Sequence, residues 1–159
     1  MSLYTGAPYV EGSVVVGAPD VEAIRAVMRF PSPDVSMYEW LDRALLEPSI
    51  CYFGISLEAR TIGQIFLHDI DSFARSSLVG YHIFDPRDRG RGYGLVALGL
   101  LQRYVVTHTD LEGLVVITTR DNLPSRRLAL RRGFVEHGPS REDPVNGIVL
   151  DWSVKRPGE

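Results

Sequence analysis

The sequence predicts an α/β fold built on a mixed sheet, and three observations predict it. The chain has 159 residues, enough for one domain to bury roughly two thirds of its unfolded surface. Its hydrophobic content of 45% and charged content of 23% are ordinary for a folded globular protein. Short β-like runs alternate with segments of helical spacing. We therefore expect a single domain over 1–159 with a core at about 13–154.

The first half of the chain contains one predicted strand, two helices and three further strands. Asp20 stands at an N-cap position, and the apolar residues after it recur at helical spacing. Runs rich in β-branched and aromatic residues predict the strands. The predicted elements are a strand at 13–16, a helix from Val21 that Pro31 ends, a helix at about 36–46, and strands at 49–57, 61–69 and 78–84.

The second half contains two predicted helices that alternate with strands. The second of these helices has Pro124 in its first turn and Gly133 at its C′ position, which are the residues that favour a start and an end there. A short apolar run between the helices is typical of a buried strand. The predicted elements are helices at 94–108 and 122–132 and strands at 113–119, 134–137 and 148–154. The complete order is β-α-α-β-β-β-α-β-α-β-β.

Charge is distributed unevenly along the chain. The total of 17 basic and 20 acidic residues gives a formal net charge of −3, which argues against a general nucleic-acid binder. Residues 87–132 nevertheless hold nine arginines against four acidic residues, whereas the rest of the chain holds eight basic against sixteen acidic residues. This local excess predicts an anionic ligand at one place. The acidic excess in the rest of the chain would suit a cationic amine as a ligand, or these residues would simply form a solvated surface.

The cysteine count and the hydropathy pattern exclude other classes. A single cysteine, Cys51, excludes an internal disulfide and any CxxC zinc or redox site, and we expect no metal. No apolar run approaches the roughly 20 residues that a membrane helix needs, and no signal peptide opens the chain. We therefore expect a cytoplasmic protein that has no membrane partner and is a monomer or a homodimer.

A glycine-rich loop carries the strongest chemical signal. Arg89-Gly90-Arg91-Gly92-Tyr93-Gly94 runs from a predicted strand into a predicted helix. Its glycines allow a ligand to approach the backbone, and the helix N-terminus offers N–H groups to an anion. Arg89 and Arg91 add positive charge. The loop therefore predicts a pyrophosphate site, although a glycine turn with solvated arginines stays open as an alternative.

Two other phosphate loops do not fit this segment. A P-loop needs Gly-Lys-Ser/Thr, and the only lysine of the chain is Lys155. A Rossmann fingerprint needs Gly-x-Gly-x-x-Gly, whereas the third glycine here comes too early.

The loop and a second motif resemble the GNAT superfamily of N-acetyltransferases. Residues 89–94 match its Arg/Gln-x-x-Gly-x-Gly/Ala acetyl-CoA signature. Asp121-Asn122-Leu123-Pro124-Ser125, followed by Gly133-Phe134, resembles the family's Asn-x-x-Ser/Ala and Gly-Phe. Gly80-Tyr81 resembles the Gly-Tyr motif of the branch that acetylates ribosomal-protein N-termini. The resemblance covers about 13–154 and implies a single-domain GNAT fold, with a mixed, mostly antiparallel sheet flanked by helices and acetyl-CoA as cosubstrate.

The resemblance implies a role for each matching residue. Ile83 and Phe84 would bind the pantetheine arm of CoA like an added strand, Asn122 would contact it from the other side, and Ser125 would lie near the sulfur. Four arginines are candidates for the 3′-phosphate, but helical geometry cannot direct all of them to one face: Arg126, Arg127, Arg131 and Arg132. The backbone of the loop would hold the pyrophosphate through Arg89, Gly90, Arg91, Gly92, Tyr93 and Gly94.

The catalytic groups are less well marked. Where many relatives have a tyrosine that protonates the thiolate, this chain has Ala129, so Ser125 is the nearest substitute, or simply a polar residue of the first helical turn. His82 is a candidate base, or a residue that packs or faces solvent. Strand alternation predicts that Tyr81 lies opposite His82, in the core, and that His68 and Asp69 point apart and form no dyad. Asp85 before Pro86 is expected to shape a turn.

An acceptor amine must be neutral when it attacks. At pH 7 an α-amine is roughly 10–20% neutral and a lysine amine about 0.04%, so the weak signal for a base favours an acceptor of low pKa. The leading hypothesis is direct acetyl transfer from acetyl-CoA to a primary amine, either a peptide N-terminus or a small amine. The alternatives are an acyl-CoA-binding or sensing domain of the same fold, and a phosphate-loop module for another nucleotide.

Overall fold

The computed structural model of the chain describes residues 3–28 and 35–158, with side chains from residue 39 onward in the second range. Within these residues, eight strands and four α-helices follow one another, and one 3₁₀ turn lies at Pro86–Asp88. The strands are β1 (Tyr9–Glu11), β2 (Val14–Gly17), β3 (Cys51–Leu57), β4 (Arg60–Asp71), β5 (Ser76–Ile83), β6 (Gly113–Thr119), β7 (Val135–Pro139) and β8 (Gly147–Ser153). The helices are α1 (Val21–Met28), α2 (Val35–Ala44), α3 (Tyr93–His108) and α4 (Leu123–Arg131).

All eight strands form one sheet in the order β1-β2-β3-β4-β5-β6-β8-β7. Every neighbouring pair is antiparallel except β5 and β6, which are parallel because helix α3 returns the chain to the same end of the sheet. Their pairing stops at Leu78 opposite Val115. Beyond this point the two strands separate, and the gap between them forms the central feature of the molecule.

Each face of the sheet has its own apolar core. Alternate residues of β3 and β4 point to opposite sides, so Phe53 and Ile65 pack with α3 and α4 on one face, whereas Tyr52 and Phe66 pack with α1 and α2 on the other. Leu98 and Leu101 of α3 are fully buried in the first core. Ile24 and Leu41 are fully buried in the second core.

The predicted fold class and element order are confirmed, with one addition. The structure adds β1, a three-residue strand that pairs with β2 across a turn where Gly12 has φ +58°. The sequence did not reveal it because it is short, lies at the edge of the sheet and is largely exposed. Strand β4 extends to Asp71, two residues further than expected. The expected end of the first helix at Pro31 lies outside the described residues.

The boundaries of α4 follow the predicted signals. The Asn122 side chain caps its N-terminus by accepting a hydrogen bond from the Ser125 N–H at 3.3 Å. Gly133 adopts φ +87° directly after the helix, and Phe134 N–H then bonds back to Ala129 O at 3.1 Å. Among the described helices, none is both long and apolar enough to cross a membrane.

Candidate functional site

A cleft of about 1050 Å³ lies where β5 and β6 separate. Its walls include Val79–Ile83 of β5 and Val116–Thr118 of β6. Val27 and Met28 of α1 line it from one face of the sheet, and Leu128 of α4 lines it from the other. The cleft therefore passes through the sheet, so that two ligands could approach one another from opposite faces.

Strand β5 offers backbone groups to this cleft. Phe84 N–H donates to Ile62 O on the β4 side at 3.0 Å. Because residues of an antiparallel pair alternate in the direction of their N–H and C=O groups, Val79, Tyr81 and Ile83 turn theirs toward β6. The Val79 N–H is used by the last β5–β6 pair, because in this parallel ladder it donates to the Val115 carbonyl. The Val79 C=O and the backbone groups of Tyr81 and Ile83 lie past that pair and face the cleft, where an extended ligand could bind as an added strand.

The expectation that Phe84 would bind the pantetheine arm through its backbone is not supported by this geometry. Its N–H is used by Ile62, and its C=O accepts a hydrogen bond from the Arg89 guanidinium at 3.2 Å. The Arg89 Nε also donates to Ile83 O at 2.9 Å, which leaves the N–H of Ile83 for a ligand. The Val79 C=O and the backbone of Tyr81 face the gap between β5 and β6 and are better placed than Phe84 to bind an extended ligand.

The glycine loop forms one end of the cleft. Gly90 and Gly92 have φ +72° and +84°, and a Cβ added at either position would meet no atom of the described chain within 4 Å. Gly92 is the N-cap of α3 and provides no side chain, so the N–H groups of Tyr93, Gly94 and Leu95 begin the helix without an intrahelical acceptor. This helix end presents partial positive charge to the cleft, as an anion requires.

A carboxylate framework holds the loop in shape. Asp85 caps the 3₁₀ turn by accepting from Arg87 N–H at 2.9 Å, which confirms its expected role in a turn. Hydrogen bonds from the Arg87 side chain and backbone lower the pKa of Asp85 to about 2. Asp88 is buried and accepts two hydrogen bonds from Arg60, at 3.0 and 2.8 Å, which lower its pKa as well.

The two loop arginines have different surroundings. Arg89 lines the main cleft while its guanidinium binds carbonyls at the end of β5. Arg91 donates to Arg87 O at 2.8 Å and lines a separate depression that contains Arg60, Asp85 and Asp88. The Arg91 side chain therefore adds no direct contact to the main cleft, and its expected contribution is limited to its backbone.

Ser125 and Tyr81 meet across the cleft. Tyr81 projects from β5 toward the α3–α4 face, and its hydroxyl lies 2.9 Å from Ser125 Oγ in the first turn of α4. Burial raises the pKa of Tyr81, so its hydroxyl stays protonated well above neutral pH. Asn122 lines the same cleft, but its side chain oxygen is engaged in capping α4.

The four arginines in α4 and at its C-cap separate into two pairs. Arg127 and Arg131 are four residues apart on one helix face and line the main cleft. Arg126 instead forms an ion pair with Glu136 at 2.9 Å, and Arg132 donates to Leu95 O of α3. The prediction that all four could not reach one site agrees with this arrangement, but Arg126 and Arg132 are structural contacts and not free surface charges.

His82 belongs to a buried polar network that the sequence did not predict. The Gln64 side chain is 1% exposed, accepts a hydrogen bond from the Tyr52 hydroxyl through Oε1, and presents Nε2 to His82 Nδ1 at 2.8 Å. Because an amide nitrogen only donates, His82 Nδ1 is the acceptor and the neutral ring carries its proton on Nε2. A glutamine within the apolar run Ile62–Leu67 was the available signal.

The prediction that His68 and Asp69 point apart is wrong. Asp69 has φ +49° at a bulge in the β4–β5 pairing, and this conformation breaks the alternation of side chains along the strand. The His68 Nδ1 consequently lies 2.7 Å from Asp69 Oδ2. Tyr81 and His82, by contrast, do point to opposite faces, toward the first and second core respectively.

Cys51 is partly buried. It packs against the first core, and its Sγ lies 4.0 Å from the Tyr104 hydroxyl. Burial raises the pKa of the thiol, which disfavours a nucleophilic thiolate. Among the described residues, no group of three or more His, Cys, Asp or Glu side chains could hold a metal ion.

The sheet splits between two parallel strands, and a glycine loop begins the helix that connects them. A family model described as an acetyltransferase (GNAT) domain matches residues 14–135, and the chain belongs to this family.

Individual relatives match the chain at low sequence identity. YdaF of Bacillus subtilis, provisionally named a ribosomal N-acetyltransferase, is 29% identical over 99 residues, which are 62% of this chain and 54% of YdaF, so the match spans about half of that relative. The ribosomal-protein-S5-alanine acetyltransferase of Vibrio fischeri superimposes with a TM-score of 0.73 at 14% identity, covering 94% of this chain and 98% of that one. The spermidine N-acetyltransferase of Vibrio cholerae, solved with CoA and spermine, gives 0.71 at 16%, covering 91% and 97%.

Proposed function

We propose that this chain is an acetyl-CoA-dependent N-acetyltransferase that moves the acetyl group directly to a primary amine. The observation that carries the proposal is the cleft itself, which has an anion-binding helix end at one side and the Tyr81–Ser125 pair within it. Membership of the GNAT family supports this reaction. A single GNAT domain with its core at about 13–154 would carry the activity.

Acetyl-CoA would be bound mainly by backbone groups. The loop from Arg89 to Gly94 would hold the pyrophosphate at the N-terminus of α3. The C=O of Val79 and the N–H and C=O of Tyr81 would pair with the pantetheine arm in the gap between β5 and β6, and Arg127 with Arg131 would neutralise the 3′-phosphate. The fit of an anionic, extended ligand to this cleft rests on the glycine conformations and on the separated strands.

The acceptor would enter from the face that carries α1. Val27, Met28, His82 and Phe84 line this part of the cleft. The Gln64 contact leaves the proton of the neutral His82 ring on Nε2, so His82 would act there as a hydrogen-bond donor and not as the base expected from the sequence. An amine that is already partly neutral needs no strong base, which favours a peptide α-amine over a lysine side chain.

A second function remains supported by one observation. Ala129, which stands where many relatives have the tyrosine acid, is fully buried and has no proton to give. A binding or sensing domain that holds acetyl-CoA without turnover would have this property. The names of relatives that act on ribosomal proteins and on spermidine define the acceptor panel that separates the two functions.

The test measures binding and turnover separately. We expect acetyl-CoA to raise the melting temperature of the chain, because a ligand that binds only the folded state stabilises it. We expect release of free thiol with a short peptide that has a free N-terminus, and less with the same peptide Nα-acetylated but retaining one lysine, or with spermidine. Stabilisation without thiol release from any of these amines would favour the sensing domain, and no stabilisation would contradict both.

The cellular location and the oligomeric state of the protein are also proposed. We propose a cytoplasmic protein, which its single cysteine supports, acting as a monomer or a homodimer and without nucleic acid as a partner.

A further inference from the structure

We propose that Tyr81 is the positioning residue that makes Ser125 an acid for the departing sulfur, an inference that rests on the proposed acetyl transfer. The Tyr81 hydroxyl lies 2.9 Å from Ser125 Oγ, and both side chains line the cleft between β5 and α4. The Tyr81 hydroxyl also lies 3.3 Å from the Ser125 carbonyl oxygen, which can accept its single proton instead. In the proposed arrangement Tyr81 donates to Ser125 Oγ, which leaves the Ser125 hydroxyl proton free to point into the cleft.

The Tyr81–Ser125 contact bears on the proton donor that is missing at Ala129. At that position the chain has a fully buried methyl group, so this position of helix α4 offers no proton donor. Ser125 alone is a poor acid, but a hydroxyl that accepts a hydrogen bond from a second hydroxyl gives up its proton more readily, because the incoming bond stabilises the negative charge that forms. Tyr81, on strand β5, thus supplies the second hydroxyl that helix α4 itself does not provide.

The proposed step conserves atoms and charge. The neutral amine nitrogen forms a bond to the acetyl carbonyl carbon, and the carbon–sulfur bond breaks with its electron pair passing to sulfur. Ser125 gives its hydroxyl proton to that sulfur and takes the proton of Tyr81. The acceptor nitrogen loses one proton to solvent as the amide forms, and one proton from solvent restores Tyr81. The products are the amide and the free thiol.

Burial of the pair suits this role. Desolvation outweighs the Ser125 hydrogen bond in setting the pKa of Tyr81 and raises it, so both hydroxyls remain protonated over the pH range in which an α-amine becomes neutral. The Tyr81 ring packs against the first core, which fixes the hydroxyl in place and limits competition from water.

The experiment compares Tyr81→Phe, Ser125→Ala and the double variant under saturating acetyl-CoA. We expect each single variant to lower kcat at least tenfold, with the melting-temperature shift by acetyl-CoA unchanged. The double variant should be no slower than the slower single one, because the two groups act as a unit. The alkaline limb of the kcat–pH profile should change in Tyr81→Phe. Tyr9→Phe, another partly buried tyrosine but outside the cleft, is the matched control and should keep wild-type kcat.

The outcomes distinguish this role from the underlying reaction. If the wild-type chain turns over, a kcat of Tyr81→Phe within twofold of the wild-type value would overturn the positioning role alone. Losses of the two single variants that multiply in the double variant would overturn it as well. A wild-type chain that binds acetyl-CoA but acetylates no amine would overturn the acetyltransferase proposal, and this role with it.

Discussion

The side-chain amide of Gln64 donates a hydrogen bond to His82 Nδ1 at 2.8 Å, from one strand of the sheet to the next. The amide oxygen is occupied by the Tyr52 hydroxyl, whose pKa is raised by burial so that it stays a donor. The two contacts together fix which end of the amide faces the histidine. A residue buried in the second core therefore decides which ring nitrogen of a cleft histidine carries the proton.

Gln64→Glu should reverse that assignment. A carboxylate cannot donate, so it would accept from both Tyr52 and His82 and would place a proton on Nδ1. We expect two-bond ¹H–¹⁵N correlation spectra to show the Nε2–H form of His82 in the wild type, and the Nδ1–H or doubly protonated form in the variant. A wild-type spectrum of the Nδ1–H form would contradict the structure.

His68 provides an internal reference for the same measurement. Its Nδ1 lies 2.7 Å from Asp69 Oδ2, and because a carboxylate only accepts, the ring donates there and should show the Nδ1–H or doubly protonated form in both proteins. The exposed His137, which meets Asp151 through Nε2 at 2.9 Å, should also be unchanged. Signals of these two histidines that move with the substitution would point to a general disturbance of the fold.

Gly92→Asp should abolish binding of CoA while leaving the chain folded. The backbone at Gly92 has φ +84°, and a new Cβ would meet no described atom within 4 Å, so the cost to stability is the conformational strain of roughly 1–2 kcal/mol. The carboxylate would stand at the N-cap of α3, where the pyrophosphate is expected, and would repel it. Titration calorimetry with CoA measures the effect.

Gly12→Asp is the matched control for that variant. Gly12 has φ +58°, and its Cβ would also meet no described atom within 4 Å, but it lies in the β1–β2 turn outside the cleft. It should lose similar stability and bind CoA normally. Gly94 is a poorer test, because a Cβ there would approach Leu128 at 3.0 Å. Normal CoA affinity of a folded Gly92→Asp would show that the pyrophosphate binds elsewhere.

The parts of the site that the sequence predicted are those encoded locally. The glycine loop, the Asn122 cap and the Gly133 end of α4 each depend on residues a few positions apart, so spacing alone identifies them. The order of strands and helices is also a local property of hydropathy, and it was predicted apart from the three-residue β1.

The parts that were not predicted depend on contacts between distant segments. Gln64 meets His82 only because β4 and β5 pair with that register, and Tyr81 meets Ser125 only because α4 crosses the gap beyond β6. The His68–Asp69 contact was predicted wrongly because a bulge, which leaves no mark in the alternation of residue types, gives Asp69 its positive φ. Register and bulges are set by packing of the whole sheet, which single-sequence patterns do not encode.

Removal of the cleft-facing arginines should weaken recognition of the 3′-phosphate specifically. Arg127→Ala and Arg131→Ala should each weaken CoA binding by roughly 1 kcal/mol, or about fivefold, because the side chains are partly solvated. Dephospho-CoA, which lacks that phosphate, should bind all variants alike. Arg126→Ala is the control, since Arg126 pairs with Glu136, and it should leave the CoA affinity unchanged. Equal losses for CoA and dephospho-CoA would place these arginines at another part of the ligand.

Arg60→Gln should destabilise the protein at neutral pH more than in acid. Arg60 gives two hydrogen bonds to the buried Asp88 and lowers its pKa. A lowered folded-state pKa adds stability above the unfolded value of about 3.9, and this stability is lost as pH falls through the folded value. We expect the free energy of unfolding to drop at pH 7, because a buried carboxylate loses both of its hydrogen-bond donors, and the difference from wild type to shrink below about pH 3.9. Urea unfolding at pH 7 and pH 3 measures both values.

Arg75→Gln, which breaks the exposed Arg75–Glu112 pair, should cost less than about 0.5 kcal/mol. Equal losses from the two substitutions at pH 7 would show that Asp88 does not depend on Arg60.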